Sequence, residues 1–254
     1  MRKLLLLASC FIFLVLMTAC SDKKDSDKYV FPLKLGNTWI MQSTFQGYNP
    51  YIQQDVTTID TVYITVAAEI ESPDGEPCFR VDYWSTLDPE HSIGYDILVN
   101  RADGLYQLGW KLGYNITPFK ASNRNLSLSP FSFAMRSGAS RDEVWLPTPW
   151  LLLPRNCEEG MEWTYGPNAH HLGAVYQIMP RVDVSVPNGN YTCHVRKTTL
   201  MELESNNVNF NYFAKDGPIK FFYEGVEIEV DYNGNTVAEH PYFFNMVLLD
   251  CHRN

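Results

Sequence analysis

Apolar and polar residues alternate with period two along most of this chain, and that alternation marks out its strands. Val182-Asp183-Val184-Ser185-Val186 alternates at every position, as does Tyr191-Thr192-Cys193-His194-Val195-Arg196. Between them lies Pro187-Asn188-Gly189-Asn190, whose Asn-Gly pair takes up the positive φ angles of a tight hairpin. Residues 226–232 place apolar side chains on one face and carboxylates on the other, and Asn233-Gly234-Asn235 then turns the chain. Residues 60–66, 77–83 and 243–249 also read as strands. The last of these is apolar on both faces, which places it in the middle of a sheet. No stretch of comparable length keeps apolar residues at helical spacing. The pattern predicts a mainly β protein of antiparallel sheets, with two similar halves forming a curved sheet, a sandwich or a half-open barrel.

The two halves echo each other in order. Gly36-Asn37-Thr38-Trp39 matches Gly160-Met161-Glu162-Trp163. Cys78-Phe79-Arg80-Val81, after a Pro-Asp-Gly turn, matches Cys193-His194-Val195-Arg196 after Pro-Asn-Gly. Asp103-Gly104 matches Asp216-Gly217. The separations are 124, 115 and 113 residues and drift one way, as shorter connections in a second copy would make them. Ordered self-similarity is the signature of duplication. The expected halves cover about residues 29–115 and 151–254 of a β domain spanning 29–254. A crossover at 116–150 joins them. It is rich in Ser, Asn and Pro, yet its Phe131, Phe133, Trp145 and Trp150 are too many aromatics for a plain linker. It is expected to pack on the sheet or to cover a cavity.

The N-terminus sets the expected compartment. Arg2 and Lys3 precede a 14-residue apolar run, Leu4 to Met17, which is too short for the roughly 20 residues of a membrane-spanning helix. Met17-Thr18-Ala19-Cys20 resembles a lipobox, so residues 1–19 read as a lipoprotein signal peptide and Cys20 as the lipidated residue. An ordinary secretory signal is the alternative. Residues 20–28 carry no apolar residue after the cysteine and form a solvated tether. Acyl chains contribute about 0.8 kcal/mol per buried methylene, so two or three hold firmly. Ser21 and the acidic residues beyond it resemble outer-membrane sorting signals, so the protein is expected in the cell envelope as an outer-membrane lipoprotein, on either its periplasmic or its surface face.

Charge narrows the partners. Removing residues 1–19 leaves 20 − 2 = 18 basic and 29 acidic residues, a balance of −11. That sign repels nucleic acid, and no basic stripe overrides it. Besides the membrane reached through the anchor, the candidate partners are a glycan, a lipid or an envelope protein.

Chemistry is sparse. Cys78, Cys157, Cys193 and Cys251 allow three pairings and equally suit buried thiols. His170-His171 lacks a further ligand at metal spacing, so neither a metal nor a cofactor is expected. Glu158 with Glu159, or Asp82 with Asp88 and Glu90, are the candidate carboxylate pairs for hydrolysis. Aromatic residues make up 14% of the chain, enough to line a pocket or stack on sugar rings. Tyr48 with Tyr51, Phe221-Phe222-Tyr223 and Tyr242-Phe243-Phe244 are the densest groups, and Trp110 is a further candidate.

Tyr29 to Trp39, Tyr-Val-Phe-Pro-Leu-Lys-Leu-Gly-Asn-Thr-Trp, resembles the opening of many Bacteroidetes lipoproteins. Leu153-Pro154, Gly160-x-x-Trp163, Val186-Pro187-x-Gly189-x-Tyr191 and Phe213-Ala214-x-x-Gly217-x-Ile219-Lys220 resemble the TapB-like/DUF3108-like group. The resemblance implies an envelope protein of antiparallel β architecture, with a curved sheet like that of lipoprotein carriers, and carries no catalytic residues. These readings together lead to a noncatalytic, lipid-anchored module that binds a ligand or partner on a concave β surface. A surface glycan-binding accessory of an uptake system and a small hydrolase are the alternatives.

Overall fold

The structure, a computed structural model, describes residues 28–49, 52–87, 92–112, 142–165, 173–200, 208–230 and 236–254. Within them the chain forms β1 (Thr38–Asn49), β2 (Gln54–Glu71), β3 (Pro77–Ser85), β4 (Ser92–Arg101), β5 (Gly104–Leu112) and β6 (Val144–Pro154). The second half supplies β7 (Glu162–Tyr165), β8 (Ala174–Val186), β9 (Gly189–Leu200), β10 (Val208–Ala214), β11 (Gly217–Val230) and β12 (Thr236–His252). Every expected strand falls inside one of these elements, apart from residues 231 and 232, which lie outside the described set. Among the described residues there is no helix.

All twelve strands form one antiparallel sheet in the order β6-β5-β4-β3-β2-β1-β12-β11-β10-β9-β8-β7. Each half is a meander of six strands, and the first and last strands of the chain join the halves at the centre. Residues 243–249, apolar on both faces, lie in β12 between β1 and β11, as their pattern requires. The sheet curls into a barrel with one open seam, between β6 and β7. The curl shows in the core: Trp39, Val62, Val81, Leu98, Leu105, Leu152, Ile178, Phe213, Ile219 and Phe244, spread over ten strands, belong to one buried cluster. A flat sheet this wide, at about 4.8 Å per strand, could not bring them together. At the seam, side chains make the contact that a ladder would make elsewhere. Trp163 Nε1 donates to the Leu151 carbonyl at 2.9 Å, and Arg196 Nη1 donates to the Leu152 carbonyl at 2.6 Å. Pro147 and Pro149 lie in the part of β6 that the β5 register skips, and a strand edge carrying prolines resists pairing with another chain.

The sequence echoes fall at matching places in the two meanders. Gly36 (φ +85°) and Gly160 (φ +80°) turn the chain into β1 and β7, in backbone conformations that favour glycine. Cys78 and Cys193 lie in β3 and β9. Asp103-Gly104 and Asp216-Gly217 form the turns into β5 and β11.

One end of the barrel is plugged with apolar side chains. The extended segment from Tyr29 to Leu33 crosses it, tied by Tyr29 N to the Arg155 carbonyl at 2.7 Å and by Asn100 Nδ2 to the Phe31 carbonyl at 2.7 Å. Phe31 packs on Trp39 and Phe213, with ring centroids 5.4 and 6.5 Å apart. The turns at this end, residues 72–76, 102–103, 155–161, 187–188 and 215–216, are all described. Every connection at the opposite end includes residues outside the described set.

The first meander also buries its outer face. Cys78, Ile97, Val99 and Leu108 form a second cluster there. Long side chains roof it: Arg80 lies over the Tyr95 ring at 5.3 Å and Arg101 over the Tyr106 ring at 4.9 Å. Their aliphatic stems cover apolar surface while the guanidinium heads reach Asp82 and Glu76.

Candidate functional site

An inner barrel face should read as continuous apolar positions, and at the plugged end it does. Further along the strands it becomes polar while staying closed to solvent. Asp96, Gln107, Arg196, Thr198, Asn209 and Asn211 are all at most 1% exposed. Burying polar groups at this density costs stability unless each finds a partner.

In the first meander the partners are present. Tyr83 Oη donates to Asp96 Oδ2 at 2.6 Å, and Gln107 Nε2 donates to Asp96 Oδ1 at 2.7 Å. The register delivers this arrangement. Val81 of β3 pairs with Asp96 of β4, so Tyr83 is one inward position along, and Gln107 of β5 pairs with the inward-facing Leu98. Trp110 lies opposite Asp96 and Trp150 opposite Gln107, with ring centroids 5.7 Å apart. The expected crossover therefore ends as strand: both Trp145 and Trp150 belong to β6, and Trp150 faces inward and is buried.

In the second meander Arg196 is fully enclosed. Besides the Leu152 carbonyl it donates through Nη2 to Asn211 Oδ1 at 3.0 Å, and it stacks over the rings of Tyr176 and Phe213 at 5.0 and 5.7 Å. Burial lowers its pKa to about 10, against a smaller upward effect of Tyr176, so the guanidinium stays charged at neutral pH.

One rung further from the plug, Thr198 of β9 pairs directly with Asn209 of β10. Tyr176 pairs with Thr198 on one side and Tyr223 with Asn209 on the other, giving an inward row Tyr176–Thr198–Asn209–Tyr223. Directly opposed side chains lie about 5 Å apart at Cβ. Asn209 Nδ2, Asn209 Oδ1 and Thr198 Oγ1 are all buried, and none has a hydrogen-bond partner among the described residues. These residues match the satisfied pair of the first meander: Tyr83 and Thr198 are 115 apart, as are Cys78 and Cys193, while Asp96 and Asn209 are 113 apart, as are Asp103 and Asp216.

The other sequence candidates are dispersed. Cys78, Cys157 and Cys193 are buried free thiols and Cys251 is a half-buried one. Burial pushes Cys78 up to about 11 and Cys157 and Cys193 up to about 12, so none of those three is a thiolate at neutral pH. Glu158 and Glu159 are exposed on the β6–β7 turn, and Asp82 is ion-paired with Arg80 at 2.9 Å. Cys20, Tyr51, Asp88, Glu90, Phe131, Phe133, His170 and His171 lie outside the described residues. Tyr48 stacks on His240, with ring planes 5° apart. Among the described residues no group of three His, Cys, Asp or Glu side chains could hold a metal ion. No described helix is long and apolar enough to cross a membrane.

The sequence reading missed the exposed aromatic pair. Tyr63 of β2 and Trp84 of β3 are cross-strand partners on the outer face, 37% and 38% exposed. It also missed the inner polar positions, because Asn209-x-Asn211 alternating with Phe210 and Tyr212 reads as an ordinary wet face.

No protein-family model matches the chain and no curated protein matches it, so the TapB-like/DUF3108-like resemblance stands on the quoted motifs alone. Three solved structures are similar in outline. An exported protein with YmcC-like fold from Bacteroides fragilis is 10% identical, with 89% of this chain and 100% of that chain covered and a TM-score of 0.40. A lipoprotein from Parabacteroides distasonis is 12% identical, with 89% and 99% covered and a TM-score of 0.34. A DUF1329 family protein from Desulfovibrio piger is 11% identical, with 87% and 88% covered and a TM-score of 0.24. These likenesses are loose, and the architecture above rests on the chain's own strand pairings.

Proposed function

We propose that this protein is a lipid-anchored envelope module that takes up a ligand inside its open-seamed barrel and carries out no reaction on it. The observation behind the reading is the polar inner face: six polar side chains, nearly inaccessible to solvent, where a structural core would be apolar. Their chemistry suits binding. They offer amides, a hydroxyl, a carboxylate and a guanidinium among the rings of Trp110, Trp150, Tyr176 and Tyr223, the mix by which a pocket orients a partly apolar ligand. The tether reaches the domain at Tyr29, in the plugged end, which leaves the polar end directed away from the anchored terminus. The anchor rests on the lipobox at Cys20, and the outer membrane as its destination rests on Ser21 and the acidic residues beyond it.

Native mass spectrometry of the Cys20→Ser protein, purified gently from a bacterial periplasm, tests this reading. The expected result is a reproducible extra mass that is lost on denaturation; a bare polypeptide mass contradicts the reading. Fatty-acid labelling tests the anchor separately: the wild-type chain takes label and Cys20→Ser does not.

One observation favours a second reading. The Tyr63–Trp84 pair presents two adjacent rings on the outer face, as a glycan-binding accessory would.

A further inference from the structure

We infer that the open edge of β2, from Asp55 to Ile59, docks an extended segment of another protein, rich in lysine or arginine, which adds to the sheet as a strand.

β2 runs on after its neighbour β3 stops. Residues 54–61 pair with β1 alone, because the β2–β3 ladder begins at Val62 opposite Ser85. The stop is built by side chain and backbone together: Thr86 N donates to the Thr61 carbonyl at 3.0 Å and to Asp60 Oδ1 at 3.1 Å. Thr61 thus turns its backbone groups away from β1. The β1–β2 register runs without a shift, so Ile59, Thr57 and Asp55 turn theirs the same way. No strand among the described residues receives them.

An open edge is a template for another strand. The β6 edge carries Pro147 and Pro149 against such pairing. Residues 55–59 of β2, Asp-Val-Thr-Thr-Ile, hold no proline, lysine or bulge, and all but the aspartate are β-branched. Ile59 is 61% exposed, and Leu87, just past the stop, is 52% exposed. An incoming strand therefore finds apolar side chains to cover as well as backbone groups to bond, the two requirements of strand addition.

Charge selects the partner. The strands that lie side by side at this end, over residues 54–60, 44–49, 236–243 and 224–230, carry Asp55, Asp60, Glu224, Glu227, Glu229 and Glu239 and no lysine or arginine. A second copy of the chain would bring the same negative charges to the same edge, whereas a basic segment is drawn to it.

The test uses the Cys20→Ser chain and a fluorescein-labelled peptide, blocked at both ends, that alternates lysine with valine and threonine. Fluorescence anisotropy compares the parent with Thr57→Pro. Thr57 points its N–H to the open side, so proline there removes an edge donor and leaves the β1 ladder intact. The parent is expected to bind, and Thr57→Pro to bind about tenfold more weakly. The parent should show a similar loss towards a peptide N-methylated at alternate residues and towards one with glutamate in place of lysine. These two peptides keep the test decisive should Thr57→Pro fold poorly. Equal affinity for the methylated peptide, or in a Thr57→Pro chain that keeps the parent's urea midpoint, overturns strand addition and leaves charge attraction alone. Equal affinity for the glutamate peptide overturns the basic partner. A parent that elutes as a dimer, and as a monomer once Thr57→Pro is introduced, gives the edge to a second copy and overturns the proposal, as does no binding of the lysine peptide.

Discussion

At one place in the first meander the carboxylate of Asp96 is held by Tyr83 and Gln107, while at the matching place in the second meander Asn209 lies beside Thr198 with three polar atoms unpaired among the described residues. Both places have the same strand order, the same inward orientation and the same burial. The register and the side chains differ: Tyr83 pairs with Gly94 and lies diagonal to Asp96, whereas Thr198 pairs directly with Asn209. Tyr83 bonds Asp96 across that diagonal, whereas Thr198 and Asn209, although directly opposed, are not bonded to each other. One meander thus bonds its polar pair together across two strands, and the other buries its pair without such a bond.

The comparison can be broken at its scaffold first. Gly217, in the turn that matches Gly104, has φ +110°, and an added Cβ would meet the Trp39 indole. Gly217→Ala combines backbone strain with overpacking and is expected to cost roughly 2–5 kcal/mol, read as a fall in urea midpoint. Next comes the self-satisfied pair. Asp96→Leu removes the buried acceptor of the Tyr83 hydroxyl and of the Gln107 amide and is expected to cost about 2–4 kcal/mol by the same measurement. A smaller effect comes from the matching tryptophans. Trp39 Nε1 donates to the Asp216 carbonyl at 2.5 Å and Trp163 Nε1 to Leu151 at 2.9 Å, so Trp39→Phe and Trp163→Phe should each lose about 1 kcal/mol. Equal losses would show that the two halves are anchored alike.

The smallest effect is an electrostatic one on the first meander alone. Arg101 donates to Glu76 through Nη2 at 2.6 Å and Nε at 2.9 Å, and this hydrogen bonding holds the Glu76 pKa below its ordinary value. A carboxyl depressed in the folded state adds stability above its unfolded pKa of about 4.3 and loses it as pH falls through the lower, folded value. Both side chains are about one-third exposed, so screening limits the contribution to a few tenths of a kcal/mol. Unfolding curves of wild type and Glu76→Gln should therefore differ slightly at neutral pH and converge in acid.

Much of the fold was legible in the chain. The alternation at 60–66, 77–83, 182–186 and 191–196 placed strands correctly because one-sided burial imposes period two on a sequence. The two-faced apolarity of 243–249 placed β12 at the centre. The pairing of β1 with β12 was not legible, since joining the chain's two ends leaves no local trace. Nor was β6, whose Pro147 and Pro149 read as loop residues although they sit on an edge that needs no ladder partner. The candidate site was least legible of all. Polar residues alternating with apolar ones are expected to face water, and nothing in Asn209-Phe210-Asn211 says that the polar face is the enclosed one. Only the curl of the whole sheet decides that. Tyr63 and Trp84 show the converse, two aromatics that count as core until their face proves to be the outer one.

The account turns on the second meander holding a polar pair that the fold itself does not need. Urea unfolding of ligand-free Asn209→Leu, set beside Asp96→Leu, tests this most directly. Replacing an unpaired buried amide with an apolar side chain of similar size should leave stability unchanged or raise it by about 1–2 kcal/mol, opposite in sign to the loss in Asp96→Leu. A loss in Asn209→Leu as large as that in Asp96→Leu would show that both pairs serve the fold, and would contradict the account.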